Sequence, residues 1–170
     1  ANGKAVTVLS SPNSSCLLST LGGTRIHWLG RGLLGDDTDG HIDDIARFVS
    51  PERLVMVWTD DTDPPDREVV HENVARARTF ERAGGGRFEI IKLPMPEPVR
   101  FGDEHLPASY ANFYIANGIV LVPVFEQPGD ERALTILREV FPGREVVGLD
   151  CRALVSQYGA LHCVTQQVPA

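Results

Sequence analysis

The stretch YANFYIANGIVLVPVFEQPGD, residues 110–130, carries the pattern from which the fold can be predicted. Tyr110–Ala116 and Ile119–Val124 are rich in aromatic and β-branched residues and favour strands. Asn117-Gly118 between them tolerates positive φ, so it predicts a tight turn. Asp130 is a candidate N-cap for a helix with an apolar face. This stretch therefore predicts two strands followed by a helix.

The rest of the chain repeats that order. Pro142-Gly143 ends the predicted helix, and a strand over Glu145–Leu149 completes a ββαβ unit. An earlier unit has the same order of strand, turn, strand, acidic loop, helix, glycine stop and strand. Its three predicted strands are Ile42–Val49, Leu54–Trp58 and Phe88–Leu93.

A residue-by-residue match supports a structural repeat. A shift of 64 positions places Pro64 on Pro128 and Asp66 on Asp130, and a third unit begins at Ala160–Val164. The sequence therefore predicts an α/β fold of repeated ββαβ units over residues 25–170. Residues 1–24 show no clean periodicity and are expected to form a poorly defined segment.

Composition and charge limit the classes of function. The 170 residues carry a net charge of −7, and 42% of them are hydrophobic, which suits a folded domain rather than a disordered chain. The acidic balance argues against nucleic-acid and anionic-membrane partners, because both require a basic surface. It is compatible with a small cationic substrate, although acidity alone also serves solubility.

The three cysteines, Cys16, Cys151 and Cys163, have no C-x-x-C spacing. This pattern excludes a zinc site built from cysteines alone and favours a reduced, cytoplasmic protein. The first twenty residues lack the continuous apolar region of a signal peptide, and no apolar run reaches the length of a membrane span. Cys16 and Cys151 are interpreted as packing residues.

Cys163 is the candidate nucleophile, with an inert buried thiol as the alternative interpretation. A thiol reacts as its thiolate and therefore needs a proton-accepting or positive neighbour. His162 is adjacent, but neighbouring residues on a strand point to opposite faces. The sequence therefore predicts a more distant histidine as the general base.

His41 and Asp43 are the best candidates for that role. On a strand they would share one face, and a carboxylate there could bind a planar guanidinium through two N–H bonds. A calcium-like acidic loop is the alternative for Asp36, Asp37 and Asp39, but the glycine and distal glutamate of an EF-hand are absent. For Asp36 alone a solvated surface position is expected.

Four separated motifs resemble the agmatine deiminases and the related bacterial peptidylarginine deiminases of the guanidine-modifying superfamily. The motifs are WLGRGL at 28–33, TDGHID at 38–43, ASYANFYIANG at 108–118 and HCVTQQ at 162–167. They occur in the family's order and cover about residues 25–170. The resemblance implies a pentein fold, an α/β propeller of ββαβ units around a central site, of which this chain would be the C-terminal half.

The resemblance also implies roles for individual residues. Cys163 would attack the guanidinium carbon, His41 would act as acid and then base, and Asp43 would hold the guanidinium nitrogens. Asp37 lies where the family usually has a glutamate near the distal amine of the substrate. Asn112 is a further substrate-binding candidate, with a strand hydrogen bond as its alternative role. No metal or cofactor is implied.

Two departures from the family pattern leave alternatives open. The glycine run that usually precedes the Asn-Ile-His-Cys segment is reduced here to Gly159, and nothing in residues 1–24 resembles the first half of the family. Agmatine hydrolysis to N-carbamoylputrescine is therefore one expectation, and peptidyl-arginine or free arginine deimination is another. A third is an inactive or partner-requiring fragment, completed by another copy of the chain or by a missing first half.

Overall fold

The computed structural model describes residues 5–9, 23–36, 40–61, 66–166 and 168. The first two strands, β1 (Ala5–Leu9) and β2 (Gly23–Trp28), pair in parallel. Asp37 and Cys16 of the sequence predictions, and Pro64 of the predicted repeat, lie outside the described residues.

Two units with the same topology follow, and each contains three strands and one helix. In each unit the first strand pairs antiparallel with the second, and the second pairs in parallel with the third across the helix. The predicted α/β architecture of ββαβ units is thus confirmed. The first unit consists of β3 (Ala46–Phe48), β4 (Arg53–Trp58), α1 (Arg67–Ala77) and β5 (Glu89–Pro94).

A short hairpin and a second unit complete the order of elements. The hairpin, β6 (Arg100–Phe101) with β7 (Glu104–His105), lies in the long segment between the units, which the sequence predicts as a loop. The second unit is followed by the one-turn helix α3 (Arg152–Val155). It consists of β8 (Tyr114–Ile115), β9 (Ile119–Val124), α2 (Asp130–Val140) and β10 (Glu145–Asp150).

The middle strand of each unit forms the centre of its core. Leu54 to Val57 on β4 are each at most 1% exposed, and Val120 and Val122 on β9 are fully buried. A continuous apolar run is expected here because a central strand with a parallel neighbour is covered on both faces. Gly118, in the turn before β9, has a φ of +80°, as predicted for the tight turn.

Three predicted strands are shorter than expected or absent, and all three border one end of the units. Ile42–Val49 begins with a 3₁₀ turn at Ile42–Asp44, where the Ile45 N–H bonds to the carbonyl of Ile42. Tyr110–Ala116 is extended only at β8. Ala160–Val164 forms turns, with the Val164 N–H bonded to the Ala160 carbonyl. These local bonds replace the ladder hydrogen bonds of a strand.

The repeat is also less regular than a single shift. β9 begins 66 residues after β4, α2 begins 63 residues after α1, and β10 begins 56 residues after β5. The matched aspartates nevertheless lie at equivalent places, since Asp66 precedes α1 and Asp130 begins α2. Asp66 accepts the Leu34 N–H, and Asp130 accepts bonds from the N–H groups of the preceding loop.

We predict that Asp130→Ala lowers the free energy of unfolding by about 1–3 kcal/mol, because buried donors lose their acceptor. Asp130 accepts the Tyr110 O–H at 2.7 Å and the Phe125 and Gln127 N–H groups at 3.0–3.2 Å. Urea denaturation of the variant measures the change. Glu131→Ala is the matched control: Glu131 forms a surface ion pair with exposed Arg138, so a loss below about 0.5 kcal/mol is expected. Equal losses in both variants would contradict this prediction.

Candidate active site

Three turns at one end of the units converge on a small polar cluster. They are the 3₁₀ turn Ile42–Asp44, the loop 109–113 before β8, and the turn 159–164 after α3. The Ser109 hydroxyl donates to the carbonyl of Asp44 at 2.6 Å and fixes the first two turns together. Three of the predicted site residues, Asp43, Asn112 and Cys163, meet at this point.

The Asn112 side chain connects these turns. It is fully buried, and its Nδ2 lies 3.1 Å from Asp43 Oδ2, 2.8 Å from Asp44 Oδ1 and 3.0 Å from Cys163 Sγ. Its Oδ1 accepts the N–H groups of His162 at 2.9 Å and Cys163 at 3.3 Å. An amide nitrogen has only two hydrogens, so the three acceptors share them. Asn112 therefore links both carboxylates to the nucleophile candidate.

Asp43 is the negative charge of the cluster. Its Oδ2 accepts bonds from Asn112, from the Cys163 thiol at 3.3 Å and from His162 Nδ1 at 2.7 Å. Burial by itself would raise the pKa of Asp43, but the hydrogen bonds from His162 and Cys163 outweigh it and hold that pKa at about 2. Asp43 is therefore ionised at neutral pH and suited to bind a cation.

Asp44 has the opposite character. It is 2% exposed, its Oδ2 has no hydrogen-bond partner among the described residues, and the charge of Asp43 lies beside it. Burial and that neighbouring charge raise the pKa of Asp44 well above its ordinary value, although Asn112 acts against them. The pKa values of the two adjacent carboxyl groups are therefore shifted in opposite directions.

The Cys163 thiol lies against both acids. Its partial burial raises the pKa to about 11; the bond from Asn112 opposes this rise and the charge of Asp43 adds to it. Close packing is possible because Gly159 has no side chain. A Cβ at that position would lie 2.7 Å from Cys163 Cβ and 3.1 Å from Sγ.

His162 lies closer to the cluster than strand geometry predicts. That geometry places His162 and Cys163 on opposite faces of a strand, but both residues lie in a turn, so both side chains contact Asp43 Oδ2. The only signal in the sequence was adjacency to the candidate nucleophile. Strand alternation does not apply to a turn, and that is why the expected placement of the two side chains on opposite faces is wrong.

The structure places His41 next to Asp36 rather than in a hydrogen bond with Asp43. His41 precedes the 3₁₀ turn, its backbone N–H bonds to Asp36 Oδ2, and its Nδ1 lies 3.7 Å from Asp36 Oδ1. The expected solvated position of Asp36 is wrong, because its side chain is only 3% exposed. Among the described residues no hydrogen bond joins His41 to Cys163.

The same cluster was tested as a metal site. Ligand atoms of Asp43, Asp44 and Cys163 lie within 4.8 Å of one another. However, Asn112 Nδ2 is within hydrogen-bond distance of all three residues and thus occupies the place that a cation would take. Asp44 also favours its neutral form, which is a poor ligand. This donor set fits an internal hydrogen-bond network better than a resident metal.

Comparisons with known proteins agree with this geometry. The profile of the Porphyromonas-type peptidyl-arginine deiminase family matches residues 12–169. The chain belongs to this family. An agmatine deiminase of Medicago truncatula is 38% identical to this deiminase-family chain over 175 residues, which are 91% of the chain and 47% of the plant protein.

Solved structures show the same fold. The agmatine deiminase of Enterococcus faecalis superposes with a TM-score of 0.89 at 26% identity, over 98% of this chain and 54% of its own. A Porphyromonas gingivalis structure named "Putative Arginine Deiminase" superposes with a TM-score of 0.87 at 44% identity, over 90% of this chain and 45% of its own. The predicted pentein class is thereby confirmed. The chain spans about half the length of the relatives it matches.

None of the helices in the described part of the chain has the length and apolar character needed to span a bilayer.

The two acids predict opposite pH dependences of stability. A carboxyl group whose pKa is raised on folding destabilises the folded chain as the pH rises above the unfolded pKa of 3.8. A carboxyl group whose pKa is lowered on folding stabilises the folded chain above pH 3.8, and this contribution is lost as the pH falls through the folded pKa. We therefore expect Asp44→Asn to be more stable than wild type at pH 7, with the difference shrinking towards pH 4. Asp43→Asn should be less stable at pH 7 by about 2 kcal/mol, with its deficit shrinking between pH 4 and 2.

Urea denaturation at pH 3, 4, 5.5 and 7 measures both dependences. Asp43→Asn serves as the matched partner, since it changes the adjacent residue in the same way. A stability difference between Asp44→Asn and wild type that stays constant from pH 4 to pH 7 would show that folding does not raise the pKa of Asp44.

Gly159→Ala should lower the free energy of unfolding by about 1–3 kcal/mol, because its Cβ would overlap with Cys163 and force the turn to move. Gly143→Ala is the matched control, since a Cβ there meets nothing within 4 Å and the position is exposed. The control is expected to be neutral or slightly stabilised. Thermal and urea unfolding compare the two variants, and indistinguishable stabilities would contradict the close approach.

Proposed function

We propose that this chain carries the nucleophile half of a guanidine-hydrolase active site, in which Cys163 attacks the carbon of a guanidinium group. The observation that supports this most is the Cys163 thiol 3.3 Å from the ionised Asp43, with both side chains held by buried Asn112. A nucleophile next to a fixed negative charge is suited to a cationic electrophile. The similarity to relatives named agmatine deiminase also supports this proposal.

Asp43 would bind the substrate. A guanidinium donates two parallel N–H bonds to a carboxylate, which is the strongest geometry for such a pair. In the unliganded chain His162 and Cys163 donate to Asp43 Oδ2. The incoming guanidinium would take over these donor positions, which brings its carbon close to the sulfur.

The substrate charge would also activate the nucleophile. The raised pKa of Cys163 comes partly from Asp43, so a guanidinium that neutralises Asp43 favours the thiolate. His41 would accept the thiol proton, and the thiolate would form a bond to the guanidinium carbon. His41 would then return the proton to the departing nitrogen, so that ammonia leaves and a thiouronium remains on the sulfur.

Hydrolysis of that intermediate would complete the reaction. Water adds to the thiouronium carbon while His41 takes its proton, and the carbon–sulfur bond breaks to release a ureido product and the cysteine. With agmatine the product would be N-carbamoylputrescine, which is a precursor in putrescine synthesis, consistent with a cytoplasmic enzyme. No step requires a metal or a cofactor.

A second candidate substrate is arginine, free or within a peptide. It is favoured by the description of the matching family and by the Porphyromonas gingivalis structure, which carries the name of an arginine deiminase. Agmatine and arginine differ at the end distant from the guanidinium. The predicted contact to that end, Asp37, lies outside the described residues.

A third candidate is a chain that reacts only when it is completed by another polypeptide. The chain covers 47% of the Medicago truncatula relative. Strands β5 and β10 each end their three-stranded sheet in the described part of the chain. Unpaired edges of this kind can recruit a further strand, from a second copy or from a separate first half.

The proposed activity predicts ammonia and ureido product from agmatine, and a loss of at least about 10³-fold in Cys163→Ser. Agmatine, arginine and an arginine peptide are compared at equal concentration by ammonia and ureido assays. Cys151→Ala is the matched control, because Cys151 is a buried free thiol before α3 and forms no side-chain hydrogen bond to the cluster among the described residues. Product that persists in Cys163→Ser would refute the nucleophile assignment.

The same samples distinguish the third candidate. Their mass in solution is measured by light scattering with and without substrate. A folded chain that binds agmatine but releases no product would support the partner-requiring chain over an autonomous enzyme.

A further inference from the structure

Arg47 on β3 links the first unit to the loop that carries Asn112. Its Nη1 donates to the carbonyls of Ala111 at 3.0 Å and Phe113 at 2.6 Å, the two residues that flank Asn112. Its guanidinium carbon lies 4.7 Å from the centroid of the Phe113 ring. One half-buried cation therefore fixes the backbone on both sides of Asn112.

Asn112 in turn is hydrogen-bonded to the turn 159–164. Its Oδ1 holds the backbone N–H groups of His162 and Cys163, and its Nδ2 bonds to Cys163 Sγ. Its backbone carbonyl accepts the His162 N–H as well, at 3.1 Å. Position and hydrogen bonding of the sulfur therefore depend on where the Asn112 amide points.

Arg47 also contributes charge at this place. Burial lowers the pKa of Arg47, while the charges of Asp43, Asp44 and Cys163 act in the opposite direction. The titratable groups around the thiol are Asp43 and Asp44 from the 3₁₀ turn and His162 from the turn of Cys163 itself, and Arg47 from β3 interacts electrostatically with the thiol. Arg47 is the one fixed cation among them and offsets part of the acidic field.

We propose that Arg47 and Asn112 form a positioning pair that aims Cys163 and stabilises its thiolate, with neither residue binding the substrate. The inference rests on the proposed role of Cys163 as nucleophile. It replaces the substrate contact expected for Asn112, whose side chain is fully buried and has all of its hydrogen-bonding groups engaged within the protein.

The test measures the thiolate directly and requires no turnover. Iodoacetamide reacts with thiolate, so its rate at Cys163 between pH 7 and 9.5 reports the thiolate fraction. The Cys163 peptide is quantified by mass spectrometry, which separates it from Cys151 and Cys16. In Arg47→Met and Asn112→Ala we expect the rate at each pH to fall about tenfold, equivalent to a pKa raised by about one unit.

Conservative variants separate this role from a purely structural one. Arg47→Lys keeps the charge and N–H donors but loses the planar guanidinium over the Phe113 ring, so its rate should lie between those of wild type and Arg47→Met. Asn112→Asp keeps the shape but replaces the donor with a third carboxyl group, so its rate should fall more than about tenfold. These two variants decide the question if the larger truncations do not fold.

Arg138→Met is the matched control, because Arg138 pairs with Glu131 on the surface and lies far from the cluster in sequence. Circular dichroism and thermal unfolding verify the fold of each variant. Folded Asn112→Asp with a wild-type alkylation rate, or Arg47→Lys as slow as Arg47→Met, would overturn the positioning pair. If wild type alkylates as expected and yet releases no ammonia from any substrate, the proposed activity fails while this inference stands.

If turnover is present, it adds an independent readout. A positioning role in Asn112→Ser lowers kcat with little change in KM, whereas a lost substrate contact raises KM. A raised KM with an unchanged kcat and an unchanged alkylation rate would overturn the positioning role and indicate that Asn112 binds the substrate.

Discussion

The buried amide of Asn112 is the constraint on which the rest of the site depends. A buried amide without partners costs several times what a satisfied hydrogen bond contributes, so all of its donors and acceptors must be matched. Here Asn112 belongs to one of the three turns and its partners come from the other two: Asp43 and Asp44 from the 3₁₀ turn, and Cys163 and the backbone N–H of His162 from the turn 159–164. Satisfying one side chain therefore brings together segments about 120 residues apart.

The two adjacent carboxyl groups have pKa values shifted in opposite directions. Asp43 has strong donors and stays ionised, whereas Asp44 lacks a partner for one oxygen and favours its proton. If both were ionised, their repulsion in a buried place would be unfavourable. The negative charge of Asp43 lies next to the thiol and is complementary to a guanidinium cation.

The sequence predicted the scaffold better than the site. Ile119–Val124 was predicted to the residue, because an apolar run covered on both faces has few alternatives to a central strand. Ile42–Val49 and Tyr110–Ala116 have similar β propensity, but only their ends are strands. At the site, bonds from Ser109 and Arg47 to backbone carbonyls take the place of strand pairing. Such distant side-chain partners leave no local pattern in the sequence.

The position of His162 is an example of a site feature that the sequence alone does not reveal. Asp43, Asn112 and Cys163 could be selected by residue type and motif, but the position of His162 depends on whether Cys163 lies on a strand or in a turn. A strand would send the two side chains to opposite faces. The turn lets both reach Asp43 Oδ2, so that this one oxygen already holds the imidazole, the thiol and the Asn112 amide. Under the proposed function, a guanidinium that binds Asp43 Oδ2 would replace the imidazole and the thiol there, while Arg47 fixes the backbone on both sides of Asn112. Substrate binding and release of the thiol from Asp43 would then be one event, so that the nucleophile is freed when its target is in place.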